Sequence, residues 1–267
     1  MNKHCIITGA SSGLGKETAR LLANDGWSLT LICRNEDKTK NAIAYIKKGN
    51  KALVDFCIAD LTLMQDVRKA SEALLNKGKA VDVLIHNAGC LTQGRKVSKE
   101  GWEFSNAINY LAPFLLTNSI KPLLHSDSRI ININSAGHAN QVLDMKSLNA
   151  YSGYKAYAHS KLTNALFTIE LVKRNRVAVC ADPGTMGTGF GGNLSLPMRL
   201  LMSIIKPFLP NSKSSARQSH YLATCPKDHL SIGGYYVDSK EIGYQISKAS
   251  INLSSELWDE TELLLGV

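Results

Sequence analysis

No stretch of the 267 residues is apolar for long enough to cross a membrane as a helix. The best candidate, Leu194 to Leu209, is interrupted by Pro197, Arg199, Lys206 and Pro207, and so falls short of the roughly 18 uninterrupted apolar residues a span requires. No secretory leader is expected either, because Met-Asn-Lys-His runs straight into Cys5, Ile6 and Ile7 and then into a glycine-rich turn. Cys5, Cys33, Cys57, Cys90, Cys180 and Cys225 include no CxxC pair and no metal-ligand spacing. Reduced, buried thiols and a cytoplasmic location are expected, with no metal. Long runs of one charge are missing too: 31 basic against 22 acidic residues give +9, but the basic groupings are as short as Lys173 to Arg176. This implies a solvated basic surface and no nucleic-acid partner.

With 44% hydrophobic and 20% charged residues the composition is that of a globular protein, which excludes disordered and collagen-like classes. Apolar runs at Lys3–Thr8, Ser28–Cys33, Ala52–Ala59, Val81–Asn87, Arg129–Ser135 and Arg176–Asp182 read as strands. Between them Leu14–Asn24, Glu36–Lys48, Leu63–Asn76, Trp102–Leu124 and Tyr154–Lys173 have helical spacing. The alternation predicts an α/β fold: a single-domain, doubly wound parallel sheet of Rossmann type over residues 1–267, with helices on both faces. Around 185–212 the texture becomes glycine-rich and then amphipathic, which reads as a substrate-loop insertion. Leu194–Leu209 would serve as a lid over an apolar substrate, a peripheral membrane contact or a helix packed on the core. Helical spacing resumes at Ser212–Thr224, a last strand is expected at Gly233–Val237, and a terminal helix at Ser254–Leu265.

The first strand runs into Thr8-Gly9-Ala10-Ser11-Ser12-Gly13-Leu14-Gly15, which opens a helix. Glycines here let the backbone approach a pyrophosphate whose charge is met by free N–H groups at the helix start. Arg34 stands 34 − 15 = 19 positions after Gly15, where dinucleotide folds read the ribose, and no acid occupies that strand end. A guanidinium there favours NADP(H) over NAD(H); the alternative is a surface arginine beside Glu36 and Asp37. Asp60-Leu61 and Asn87-Ala88-Gly89 follow strands three and four, at the sheet end where such folds bind ligands.

Tyr157 and Lys161 stand four residues apart on one helix face. A phenol with a reference pKa near 10 needs a neighbouring positive charge to favour its phenolate, and Lys161 would supply it. Ser135, at the end of strand five, would hydrogen-bond the same carbonyl oxygen as Tyr157. A second frame, Tyr151 to Lys155, lies nearer Ser135 in sequence (16 residues against 22). On a helix the two tyrosines would stand about 120° apart, so both cannot face one ligand equally. Gly153 makes a poor helix interior and favours Tyr157.

Taken together, the Thr8–Gly15 turn, Asn87-Ala88-Gly89, Ser135, Tyr157-x-x-Ser160-Lys161 and Pro183-Gly184 resemble the motif series of the short-chain dehydrogenase/reductase family. Cys33-Arg34-Asn35, Ser135 to His138, Ala156 to Leu171, Tyr221 to Thr224 and Gly234 to Asp238 are similar to its retinol dehydrogenase-like branch. The resemblance implies that Tyr157 donates the proton in reduction, Lys161 tunes it and holds the nicotinamide ribose, Ser135 orients the carbonyl, and Asn109 holds a relay water. It further implies a cofactor cleft formed by Gly9, Ser11, Ser12, Gly13, Leu14, Gly15, Arg34, Asp60, Leu61, Asn87, Ala88, Gly89, Tyr157, Lys161, Pro183, Gly184 and Thr188.

The implied activity is hydride transfer between NADP(H) and a small lipophilic carbonyl or alcohol, retinal or retinol being the model. The alternatives are a ketoreductase for a steroid or natural-product intermediate and a non-catalytic nucleotide-binding sensor. Homo-oligomerisation through the helices at Trp102–Leu124 and Tyr154–Lys173 is a family expectation. Retinoid-acting members commonly carry an N-terminal anchor, and this sequence starts at strand one. His86, Tyr110, Pro113 and Asp182 depart from the branch pattern, and His138 has either a proton-assisting or a structural role.

Overall fold

A computed structural model of the chain describes residues 3–145, 149–184 and 212–267. The apolar runs become strands because each feeds two layers of core at once. In β1 (His4–Thr8), Ile6 enters one layer while Cys5 and Ile7 enter the other. β2 (Ser28–Cys33), β4 (Val81–His86) and β6 (Val177–Asp182) divide their side chains in the same way. Period-two alternation with both faces apolar is what a sheet covered by helices on each side requires. With β3 (Val54–Ile58), β5 (Leu124–Ile133), β7 (Tyr235–Val237) and β8 (Lys240–Ile242) the sheet has eight strands in the order β3-β2-β1-β4-β5-β6-β7-β8. Pairing is parallel except between β7 and β8.

One face is covered by α1 (Gly13–Asn24), α2 (Glu36–Ile46) and, following α6 in chain order, α7 (Ser212–Thr224), through Leu14, Leu22, Ile46 and Leu222. The other is covered by α3 (Met64–Lys77), α5 (Ala112–Ser119), α6 (Gly153–Lys173) and α9 (Ser254–Leu265). The short helices α4 (Phe104–Asn106) and α8 (Lys248–Asn252) link these elements. The doubly wound sheet is therefore as the sequence predicts.

The single helix expected over Trp102–Leu124 is not formed. α4 passes into a π-helical turn, Ala107–Leu111, then into α5, which stops at Ser119. A tight turn at Lys121–Leu123 follows, and Pro122, lacking an N–H, cannot continue an α-helix. β5 then starts at Leu124, five residues earlier than its apolar half suggests, with a register irregularity against β4 between Val81 and Val83.

α9 is held against α5 and α6. Trp258 lies 4.7 Å from the Phe114 ring and stacks on Phe167 at 5.8 Å, Thr261 meets the Tyr110 hydroxyl at 2.7 Å, and Ser254 donates to Glu170 at 2.7 Å. Burial would raise the Glu170 carboxyl, but hydrogen bonds from Lys173, Ser254 and Arg174 outweigh it and hold the pKa below the usual value. Phe114 of α5 and Phe167 and Glu170 of α6 are thus covered by the chain's own last helix. Replacing Trp258 with alanine should cost about 3–5 kcal/mol in denaturant unfolding, the usual range for a buried aromatic; an unchanged midpoint would contradict this packing.

Candidate active site

Between β1 and β4 the connections leave the sheet in opposite directions, and the glycine turn sits in the crevice that results. Asn87 locks it: its side-chain nitrogen donates to the Thr8 carbonyl at 2.8 Å, while the Ala88 N–H donates to the Thr8 hydroxyl at 3.0 Å. A Cβ on Gly15 would lie 2.3 Å from that nitrogen, and one on Gly9 would lie 2.9 Å from the Ala88 Cα. Gly9 also holds φ at +69°, a region that side chains disfavour. Ser12 precedes α1 in extended conformation without a side-chain cap, and the first turn holds no acid. The N–H groups of Gly13, Leu14 and Gly15 at this helix start are therefore available to an anion. Ser11 stands beside the Cys33 thiol, whose pKa burial raises.

Arg34 follows β2 directly and is exposed. Glu36, its acidic neighbour, pairs with Lys40 at 2.7 Å, and Asn35 caps α2 by accepting from the Lys38 N–H at 2.9 Å. Asp60 is used in a turn: one carboxylate oxygen accepts from the Thr62 N–H at 3.0 Å and hydroxyl at 2.8 Å. Leu61 packs into the core, and Gly89 is exposed at the cleft rim. Gly184 has φ +73° and donates its N–H to Asp182 at 2.9 Å, shaping the turn with Pro183. Thr188 and Leu194–Leu209 lie outside the described residues.

α6 carries the proton chemistry across to β5. Ser135, two residues past β5, caps a tight turn, Ala136–His138, and its hydroxyl is within hydrogen-bonding reach of the Tyr157 phenol. Lys161 is buried, its ammonium 5.7 Å from the Tyr157 ring centre and donating to the Ile133 carbonyl at 2.9 Å. Asn109 sits on the π-turn, and that extra backbone residue turns its side chain onto the Cys90 backbone (N–H and carbonyl, both 3.1 Å) and the Ser160 hydroxyl (2.9 Å). Its own carbonyl accepts from Asn164 at 2.8 Å. The rival Tyr151 is directed elsewhere: its hydroxyl meets Asp144 at 3.2 Å and its ring is capped by Lys155 at 4.0 Å. α6 starts only at Gly153, with φ +57°, so Tyr151 and Tyr157 do not share a helix.

Burial pushes the Tyr157 phenol up to about 12, with the Ser135 hydrogen bond working against it and the Asp182 charge adding to it. This is the opposite of the direction expected from Lys161 alone. Burial in turn lowers the Lys161 ammonium to about 8, partly offset by charge interactions with Cys90, Cys180 and Asp182. His138 stays neutral near pH 7 because burial lowers its pKa.

A family model of short chain dehydrogenases matches residues 3–197. The chain belongs to this family. Among its relatives, retinol dehydrogenase 12 of Homo sapiens is 31% identical over 277 residues, spanning 99% of this chain and 87% of that protein. Retinol dehydrogenase 14 of Mus musculus is 30% identical over 288 residues, spanning 99% and 86%. A solved blue fluorescent protein from a metagenomic library, in complex with NADPH, superposes with a TM-score of 0.66 at 25% identity, covering 87% of this chain and 94% of that one. The chain is thus a short chain dehydrogenase of retinol dehydrogenase-like type, an oxidoreductase family that uses nicotinamide cofactors and acts on CH–OH or C=O groups.

The sequence did not single out Asn134, which donates to the Lys161 carbonyl at 3.1 Å and to Asn164 at 3.0 Å. An asparagine at the end of an apolar strand was the available signal. Tyr235, which reaches Asp182 from β7, lies in the Gly234–Asp238 segment that resembles the branch, but nothing in the sequence gave it a role. A cavity of about 380 Å³ opens at the other end of the sheet, among His4, Leu29, Lys47, Leu53 and Lys79, away from the glycine turn. Its His4 is satisfied by Thr30 and the Ala80 carbonyl. Among the described residues no group of three His, Cys, Asp or Glu could hold a metal, and no helix is long and apolar enough to cross a membrane.

A buried ammonium is costly. With its folded pKa near 8 against 10.5 unfolded, Lys161 makes the unfolded chain bind more protons between those values, so its penalty is full below pH 8 and fades as pH rises toward 10.5. Lys161→Met should therefore be more stable than the wild type at pH 7 in denaturant unfolding, with the difference shrinking by pH 10. A variant less stable at both pH values would contradict this burial account.

Proposed function

We propose that the protein is an NADP(H)-preferring oxidoreductase interconverting a small lipophilic aldehyde or ketone and its alcohol. The observation that carries this is the Ser135 hydroxyl beside the Tyr157 phenol, with Lys161 behind them, at the strand ends that also carry the glycine turn. Glycines that tolerate no Cβ, an uncapped helix start and an exposed Arg34 fit a dinucleotide with a 2′-phosphate. Arg34 would hold that phosphate, the 9–15 turn the pyrophosphate, Asp60 and Leu61 the adenine side, and Asn87 to Gly89 the cleft wall. Pro183 and Gly184 would lie against the nicotinamide end. The retinol dehydrogenase relatives support an apolar substrate.

When bound, the cofactor supplies or accepts the hydride. Ser135 donates to the substrate oxygen and orients the carbonyl. Tyr157, kept protonated at neutral pH by burial, delivers the proton to that oxygen, which favours the reductive direction. Lys161 would hold the ribose and oppose the charge left on the phenol oxygen. Asn109, clamped on Cys90 and Ser160, holds the back wall of the site and the water through which the proton is replaced.

Tyr157→Phe should abolish turnover while NADPH binding, followed by nicotinamide fluorescence, stays nearly intact; retained turnover would remove the phenol from the chemistry. Arg34→Ala should weaken NADPH far more than NADH, by roughly 1.5–3 kcal/mol for a lost charge-assisted bond. Equal weakening of both in parallel titrations would refute the phosphate assignment.

A further inference from the structure

Asp182 closes β6 as a buried carboxylate. Two donors hold it: the Gly184 N–H on one oxygen at 2.9 Å and the Tyr235 hydroxyl on the other at 2.7 Å. Its backbone carbonyl accepts from Gln218 at 2.9 Å. Tyr235 is fully buried on β7, and its ring packs at 4.6 Å against the ring of His138. Because a carbonyl only accepts, the 2.8 Å contact between His138 Nδ1 and the Ser135 carbonyl requires Nδ1 to carry the hydrogen. A continuous path of fixed groups therefore runs from Asp182 through Tyr235 and His138 to the residue whose hydroxyl faces Tyr157. A second path runs through Gly184 to the turn at Pro183.

We propose that Asp182 is a positioning residue of the hydride-transfer site: it fixes Ser135 from behind through Tyr235 and His138, shapes the Pro183-Gly184 turn, and places a negative charge opposite the Tyr157–Lys161 pair. An uncharged partner at this position would satisfy the turn, but it would not add to the burial that holds the phenol protonated. The charge thus deepens the reductive bias, and the inference rests on the function proposed for Tyr157. The other titratable groups facing Tyr157 are Tyr154 and Lys161 on its own helix, Cys90 after β4, Tyr235 on β7 and, behind Ser135, His138. None of these brings a formal negative charge at neutral pH, which leaves Asp182 in that role.

The test is the pH profile of NADPH-dependent carbonyl reduction by the full chain. Loss of the carboxylate charge in Asp182→Asn should let both Lys161 and Tyr157 lose their protons more readily and move the alkaline limb to lower pH by about one unit. Asp182→His, which also removes the carboxylate, should move it in the same direction and serves if the asparagine variant folds poorly. Tyr235→Phe keeps the carboxylate and loses only its tether, so KM for the carbonyl should rise while the limb stays in place. A limb at the wild-type position in folded Asp182→Asn or Asp182→His would overturn the proposal, as would a limb moved equally by Tyr235→Phe. An active Tyr157→Phe would instead remove the reading beneath it, so the two failures are distinguishable.

Discussion

The space between Gly15 and Asn87 is the constraint on which the site depends. The Asn87 side chain bridges the end of β4 to the backbone at the end of β1, and it fits only because Gly15 has no side chain. The same lock brings Ala88 against Gly9. Strand order makes this possible: β1 lies between β2 and β4, so the chain must cross over here and leave a crevice. A helix start with neither cap nor acid then faces that crevice, leaving its N–H groups for an anionic ligand.

Across the cleft, α6 spends stability on chemistry. It buries a lysine without a carboxylate in contact, and packs Ser160, Asn164 and Thr168 against β5, β6 and the π-turn. These polar groups are satisfied by one another, which removes the cost of burying them and fixes the direction of Tyr157. The opposite side of α6 recovers apolar burial through Phe167 on Trp258, and Glu170 there gathers Lys173, Arg174, Ser254 and Ser255. One helix therefore joins a rigid outer contact to a charged inner face.

Much of this was legible in the sequence wherever a single local pattern sufficed. Ser28–Cys33 and Ser254–Leu265 form as read because their apolar spacing is regular, and Ser212–Thr224 forms as read although its buried side mixes Ser215, Gln218 and Ser219 with Ala216, Leu222 and Ala223. The glycine turn, Ser135, Tyr157 and Lys161 were identifiable by type and order, and the structure brings the last three together. The π-turn at Asn109 was not legible, since its sequence scores as ordinary helix and the extra residue is stabilised by contacts to Cys90 and Ser160 far along the chain. Nor was the early start of β5, whose first half is polar. The direction of the Tyr157 shift was misjudged from Lys161 because burial, which spacing does not reveal, dominates.

The central claim is that this cleft transfers hydride between NADP(H) and an apolar carbonyl. It is tested most directly by mixing the purified protein with NADPH and a panel running from small aldehydes to retinal, steroid ketones and quinones, and following loss of the reduced nicotinamide absorbance. The account predicts steady NADPH consumption with a lipophilic aldehyde or ketone and little with NADH. NADPH that binds but is consumed with no member of the panel, or does not bind at all, would contradict it.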